Sequence, residues 1–256
     1  MCSWIRQLTT IFMFLFFLPV MAYSGGLFPE THHILIENIR AHDVTILGER
    51  HRQPESTELL VELADTLSAD GHCLAVGLEF DTDQNPTLDA FLAGKESVEA
   101  IAVPQIIDHP GFRDMLVELR KLVRAGHCLG VQGVDLPRRL WSGEKNRDEW
   151  MADQLATMMG DRPVLALLGN AHGIRAVRWE SGLNRPHAAE LLILKGSDVF
   201  SVMQDWPGQV TGTRPVGRWY PDDHQAAHKV FANLLRVKSV VVPEDLSVIG
   251  DGVVVW

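Results

Sequence analysis

Four side chains in this sequence have the chemistry of a proton-transfer or metal site: Glu49, His51, Glu79 and His172. Each follows or closes an apolar run. Val44 to Leu47 leads into Gly48-Glu49-Arg50-His51, and Val164 to Leu168 leads into Gly169-Asn170-Ala171-His172. A third run, Cys73 to Phe80, carries Glu79 near its end. Neutral imidazoles ligate divalent metals. A carboxylate beside them adds a ligand or takes a proton from metal-bound water, and a histidine–glutamate pair without metal still serves as a general base on water. Each residue also has a purely structural reading. Either histidine alone reads as a hydrogen-bonded packing residue, and Glu79 as a strand-end carboxylate paired with Arg113, Arg138 or Arg147. Asp135 closes another strand-like run and either joins the site or caps its turn. Asn170 either positions a water or ligand or is ordinary turn chemistry after glycine. The Gly-x-x-His spacing itself is weak, because 21 glycines and 11 histidines among 256 residues produce about one such pair by chance. The strand before each glycine is the informative part.

The elements that must position these groups alternate. Asp43–Leu47, Cys73–Phe80, Cys128–Val134, Val164–Leu168 and Val199–Met203 read as strands. Helical apolar spacing runs through 55–69, 112–125, 147–159 and 225–235. Alternation of this kind predicts an α/β fold with a mostly parallel central sheet flanked by helices on both faces, in one domain over residues 23–256. Ligands of such sheets bind beyond the carboxyl ends of the strands, where all four chemical residues fall. Glycine at 48 and 169 is expected to let the chain turn sharply there. Asp81–Pro86 reads as a loop before a short helix over 88–92, Ala188–Leu194 as a helix or strand, and Trp206–Tyr220 as an extended loop. Ser239–Val242 and Val253–Trp256 read as late strands. His187 is expected to face solvent, and the tryptophans to pack or to line a pocket.

Residues 1–22 have the layout of a secretory leader: Arg6, then the apolar Ile11–Val20, then a small-residue cleavage site ending at Ala22. The alternative is a membrane anchor, for which the run is short. Export to a periplasmic or extracellular space, with no stable membrane span in the mature form, is the expectation. A formal charge of −10 argues against a nucleic-acid partner, which requires a basic face; a small-molecule ligand and a possible homodimer remain. Cys73 and Cys128 sit in matching settings, Gly71-His72-Cys73 and Gly126-His127-Cys128, each after a helix and before a strand. A disulfide, two buried thiols and a His/Cys metal site all stay open, although direct neighbours in a parallel sheet are a poor disulfide geometry.

No Gly-rich phosphate loop and no Gly-x-Ser-x-Gly elbow is present, which removes dinucleotide enzymes and serine esterases. The strand-Gly-Glu-x-His opening, the strand bearing Glu79 and the strand-Gly-Asn-x-His turn resemble the Tiki/ChaN superfamily. That group includes ChaN-like haem-uptake proteins, Tiki-type metalloproteases, erythromycin esterases and TraB-like proteins. Gln84, Leu88-Asp89, Phe91-Leu92 and Gly94, then Arg147-Asp148, Met151-Ala152 and Arg185-Pro186, look like the ChaN-like branch. The resemblance covers about 43–194. It implies Glu49, His51, Glu79 and His172 as site residues, with Asp135 and Asn170 secondary. It also implies haem or a divalent metal ion as the bound group. A hydrolase of an ester or amide using the same residues is the alternative, and a scaffold without chemistry is a third reading. Arg52, Gln53 and Pro54 depart from the branch, which has more acidic and histidine residues there.

Overall fold

The structure is a computed structural model that describes residues 27–69, 71–142, 146–180, 185–208, 215–236 and 240–256. The leader expected at residues 1–22 lies outside them. No helix among the described residues is long and apolar enough to cross a membrane. In chain order the elements are α1 (Pro29–Ala41), β1 (Val44–Glu49), α2 (Pro54–Ala69), β2 (Leu74–Asp81), α3 (Asn85–Leu92), α4 (Pro110–Arg124), β3 (Leu129–Asp135), α5 (Arg147–Met159), β4 (Val164–Gly169), β5 (Arg178–Trp179), α6 (Ala188–Leu194), β6 (Val199–Asp205), β7 (Arg218–Pro221), α7 (Gln225–Arg236), β8 (Val240–Val241) and β9 (Gly252–Val255).

Seven strands form one sheet in the order β3-β2-β4-β1-β6-β9-β7. Every pairing is parallel except the edge pair β7–β9. The fold class read from the alternation of elements is therefore the observed one. Strands β1 and β4 are buried along their whole length, as continuous β-branched and leucine runs demand when helices cover both faces. Helices α1 to α4 pack on one face against Leu47, Val76, Leu78, Leu165, Leu167 and Val202. Helices α5 and α6 pack on the other against Val44, Ile46, Ala75, Val164, Ala166 and Leu168, and α7 extends that layer over Met203 and Val253. Alternate strand residues thus serve alternate layers.

Several boundaries differ from the sequence expectation, each for a local reason. Strand β2 runs on to Asp81, and α3 begins at Asn85 rather than Leu88, with Pro86 inside the first turn where its missing N–H costs nothing. The stretch 188–194 is helical. Part of the loop expected over 206–220 is β7, which gains its ladder by lying antiparallel on β9. Val240–Val241 pairs with β5 in a separate two-stranded ribbon. The glycines expected to turn the chain belong to β1 and β4, Gly169 as the last residue of its strand, and the polar turns start at Arg50 and Asn170.

Cys73 and Cys128 form a disulfide with Cα atoms 4.5 Å apart. Both stand just before the first ladder pair, Leu74–Leu129. The bond therefore closes outside the regular ladder, which removes the geometric objection to neighbouring parallel strands. Gly71 and Gly126 adopt φ +80 and +91 as the chain leaves α2 and α4, a conformation that favours glycine. The bond closes a 55-residue separation. Replacing both cysteines with serine should lower the unfolding free energy by about 2–4 kcal/mol. The urea midpoint reads this directly, and an unchanged midpoint would contradict a stabilising role.

Candidate functional site

Glu79 is the hub. The pleat of β2 sends Phe80 into the α1–α4 layer and Glu79 toward α5. Only 4% of Glu79 is exposed, so its charge must be matched. One carboxylate oxygen accepts the Gly169 backbone N–H and the other accepts Nη2 of Arg147 at 2.5 Å. Arg147 opens α5 behind the Asn146 cap, whose side chain accepts from the Asp148 N–H. The same guanidinium donates Nε and Nη2 to the two oxygens of Asp135 at 2.6 and 2.7 Å. Asp135 Oδ1 also accepts the Leu136 N–H. Burial alone would raise the Glu79 pKa, but the facing His172, the Arg147 cation and the Gly169 N–H pull it down to about 2. Burial would likewise lower the Arg147 pKa, and its two carboxylates raise it instead.

His172 lies on the 3-10 turn Asn170–Gly173 that follows β4. Its Nδ1 is 2.7 Å from Asp148 Oδ1 and its Nε2 is 3.5 Å from Glu79 Oε1. Burial opposes its charge, yet the Asp148 and Glu79 carboxylates lift its pKa to about 9. At neutral pH it is an imidazolium. The 3.4 Å approach of Arg147 Nη1 to His172 Nε2 is then a contact between two donors, held together by shared anions. Asp148 also accepts the Ala188 N–H. His187, expected in solvent, is 5% exposed and lies 4.0 Å from Asp148, because it opens α6 against Trp179.

His51 forms a second imidazole–carboxylate pair, with Nδ1 2.8 Å from Glu49 Oε1. That hydrogen bond is the main reason its pKa is raised, against the opposing effect of burial. Its Nε2 has no hydrogen-bond partner among the described residues. The next residue, Arg52, adopts φ +69, unusual for a residue with a Cβ, and donates Nη2 to the Gln105 carbonyl.

The two glycines serve each other's turns. A Cβ on Gly48 would stand 2.3 Å from Asn170 Oδ1, and one on Gly169 would stand 3.2 Å from His51 Cε1. Strands β1 and β4 are paired in this region, Glu49 with Gly169. Each strand therefore leaves out a side chain where the other's turn crosses it. Asn170 exchanges two hydrogen bonds with the backbone of Gln204 on β6, at 2.9 and 3.0 Å. The ladder between β1 and β6 stops at Leu47–Val202. Beyond it opens a cleft of about 550 Å³ lined by both imidazoles, both glutamates, Arg147 and Gln204 among others.

Glu49, His51, Glu79 and His172 thus meet at one cleft, but as two separate imidazole–carboxylate pairs. No group of three or more His, Cys, Asp or Glu side chains is arranged to hold a metal among the described residues. Arg147 occupies the Glu79 oxygen that a cation would need. Asp135 reaches the site only through Arg147, and Asn170 acts on the backbone.

Residues 35–109 match the family described as haem-binding uptake, Tiki superfamily, ChaN. Two structures with related folds accompany that match. ChaN of Campylobacter jejuni, solved with cofacial haem, aligns at 15% identity and TM-score 0.51, over 69% of this chain and 87% of that one. An erythromycin esterase mutant, EreC, in its open conformation aligns at 13% identity and TM-score 0.60, over 87% and 92%. That family match spans residues 35–109 of the 256, and the two structures share the fold. A Bacillus cereus protein shares the fold at 11% identity and TM-score 0.59, over 87% and 90%. At these identities the likeness to solved structures is one of fold. No curated protein sequence matches the chain.

In the sequence Arg147 was one of three candidate arginine partners for Glu79, and neither Asp148 nor Gln204 was marked as a site residue. The signal for the first two was an adjacent Arg-Asp pair in the first turn of a helix, where the arginine runs against the usual preference for acidic residues.

Two predictions follow from these charges. Arg147→Met leaves Glu79 and Asp135 buried without their cation and should destabilise the chain by about 3–5 kcal/mol in urea unfolding. The two shifted groups also set a pH window. Glu79 drops from its ordinary 4.5 to about 2, so its contribution is complete above pH 4.5 and is lost as pH falls toward 2. His172 rises from 6.5 to about 9, so its contribution is complete below pH 6.5 and is lost as pH rises through 9. Urea midpoints should therefore decline from pH 6.5 to 9, and His172→Gln should flatten that decline. An equal decline in the variant would assign it to another group.

Proposed function

We propose that this is an exported protein whose cleft binds haem, with His51 Nε2 as the iron ligand. The observation that carries the reading is the state of that imidazole. Its Nδ1 is held by the Glu49 carboxylate, and its Nε2 is unshared among the described residues at the cleft. A carboxylate on the far nitrogen of a histidine fixes the tautomer and raises ligand basicity, and histidine is a common axial ligand of haem iron. Val230, Leu234 and Ala171 offer apolar wall, and Arg50 offers a cation for an acidic substituent. The family description over residues 35–109 and the haem-bearing Campylobacter relative support the same ligand. A bare divalent cation is a poorer fit, because it would have to displace Arg147 from Glu79. The Cys73–Cys128 bond supports an oxidising compartment, consistent with removal of residues 1–22 as a leader. Titration of the full chain with haemin should give a shifted absorption band that His51→Ala abolishes while the far-ultraviolet spectrum is unchanged. The same band with and without His51 would sink the assignment.

The second reading is an ester or amide hydrolase, favoured by the juxtaposition of His51 with the cationic His172 and Arg147. His51, oriented by Glu49, would take a proton from water. His172 and Arg147 would stabilise the oxyanion that forms. In that case turnover of a simple ester should rise with pH through the raised His51 pKa, since only the neutral imidazole is a base. His51→Ala should lower kcat/KM by about 100-fold. Turnover unaffected by that substitution would remove this reading.

A further inference from the structure

The hydrogen bonds around His51 and Asn170 leave two polar atoms of the cleft unused. Glu49 is 4% exposed and spends Oε1 on His51, while its Oε2 is buried without a partner among the described residues. Gln204 is 1% exposed, and its Nε2 is also buried without a partner among the described residues. The orientation of the Gln204 amide is fixed chemically. Trp256 Nε1 can only donate, and it lies 2.9 Å from Gln204 Oε1, so the amino group must point the other way. The two side chains reach the same cleft from adjacent strands. Leu47 and Val202 pair across β1 and β6, and Glu49 and Gln204 stand two residues further along each strand, so all four side chains share the sheet face that packs on α1–α4. Both residues line the cleft that opens where the ladder ends.

An unpaired buried donor and an unpaired buried acceptor in one cleft are costly unless something joins them. Arg147, Asp135, Glu79, His172 and Asp148 satisfy one another at the same site, so the two atoms stand out. The joining group must accept from nitrogen and donate to a carboxylate, and an O–H does both through one oxygen. We infer that Glu49 Oε2 and Gln204 Nε2 form a ligand subsite at the floor of the cleft that receives an O–H group. Gln204 Nε2–H donates to the ligand oxygen, and the ligand proton is donated to Glu49 Oε2. Gln204 is thereby a specificity-determining residue, and Glu49 joins iron-ligand or base positioning at one oxygen to ligand selection at the other. The inference rests on the cleft being the ligand site, not on which ligand fills it. In a porphyrin the O–H would be that of a carboxylic acid substituent, which is ionised in water at pH 6 and takes up a proton from solvent on binding against the Glu49 carboxylate; in an ester substrate it would be an alcohol.

The test uses two probe pairs that differ only in this group. Haemin and haemin dimethyl ester are compared by absorption titration at pH 6, and methyl lactate and methyl propionate by ligand-observed NMR. Each is run with the full chain and with Gln204→Glu, which keeps an acceptor for Trp256 but removes the donor; Gln204→Met is a second variant that adds no charge. The expected result is a preference of about tenfold for the O–H member of one pair, the worth of one hydrogen bond, collapsing toward one in both Gln204 variants. Preference in the porphyrin pair identifies a carboxylic acid and preference in the ester pair an alcohol. A lactate preference without porphyrin binding would sink the haem reading and support the subsite. Equal haemin and diester affinities, with no lactate preference, would support haem binding and overturn the subsite. It is also overturned by a preference that survives in both variants, by binding of none of the four probes, or by a structural water only, retained between the two atoms in probe-soaked crystals.

Discussion

The Glu79 carboxylate is the contact on which the rest of the site depends. It is buried at the end of β2, and it cannot stay charged there without donors on both oxygens. Those donors come from β4, through the Gly169 N–H, and from α5, through Arg147. Arg147 in turn holds Asp135 at the end of β3. One carboxylate thereby ties three strands and a helix at the sheet's carboxyl edge. The Asp148 and Glu79 carboxylates are what keep His172 protonated beside a guanidinium. A site built this way is rigid because each charge is the reason its neighbour can be buried.

The opening of the cleft follows from a different constraint. Parallel strands stay paired until something interrupts them, and here the interruption is Asn170. Its amide substitutes for strand β1 in hydrogen bonding to Gln204, so β1 and β6 part after Leu47 and Val202. Gly48 and Gly169 make the interruption possible by yielding space to Asn170 and to His51. The opposite edge is held covalently, by Cys73 and Cys128 just before β2 and β3 begin. The sheet is thus pinned at its amino edge and unzipped at its carboxyl edge, where the chemical side chains gather.

His51 and His172 look alike in sequence but differ in what the fold makes of them. His172 has carboxylates on both nitrogens and is nearly enclosed. His51 has one carboxylate, and its other nitrogen at the cleft has no partner among the described residues. The first is suited to carry a fixed charge, the second to bind iron or exchange a proton.

Much was legible in the sequence. Apolar runs alternating with helical spacing were enough for an α/β sheet, since a strand buried on both faces and an amphipathic helix leave different periodicities. Glu49, His51, Glu79 and His172 could be placed at strand ends because each directly follows or closes such a run. Tertiary structure alone decided how they are paired. Asp148 is 24 residues from His172, and Arg147 is 68 from Glu79; neither separation leaves a periodic trace. The role of Gly48 and Gly169 as space for a neighbouring turn, the burial of His187 and the unpartnered Nε2 of Gln204 among the described residues were equally invisible. Local pattern reports which way a side chain faces within its own element. Hydrogen-bond partners and buried charges depend on which elements become neighbours, and strand order and register determine that.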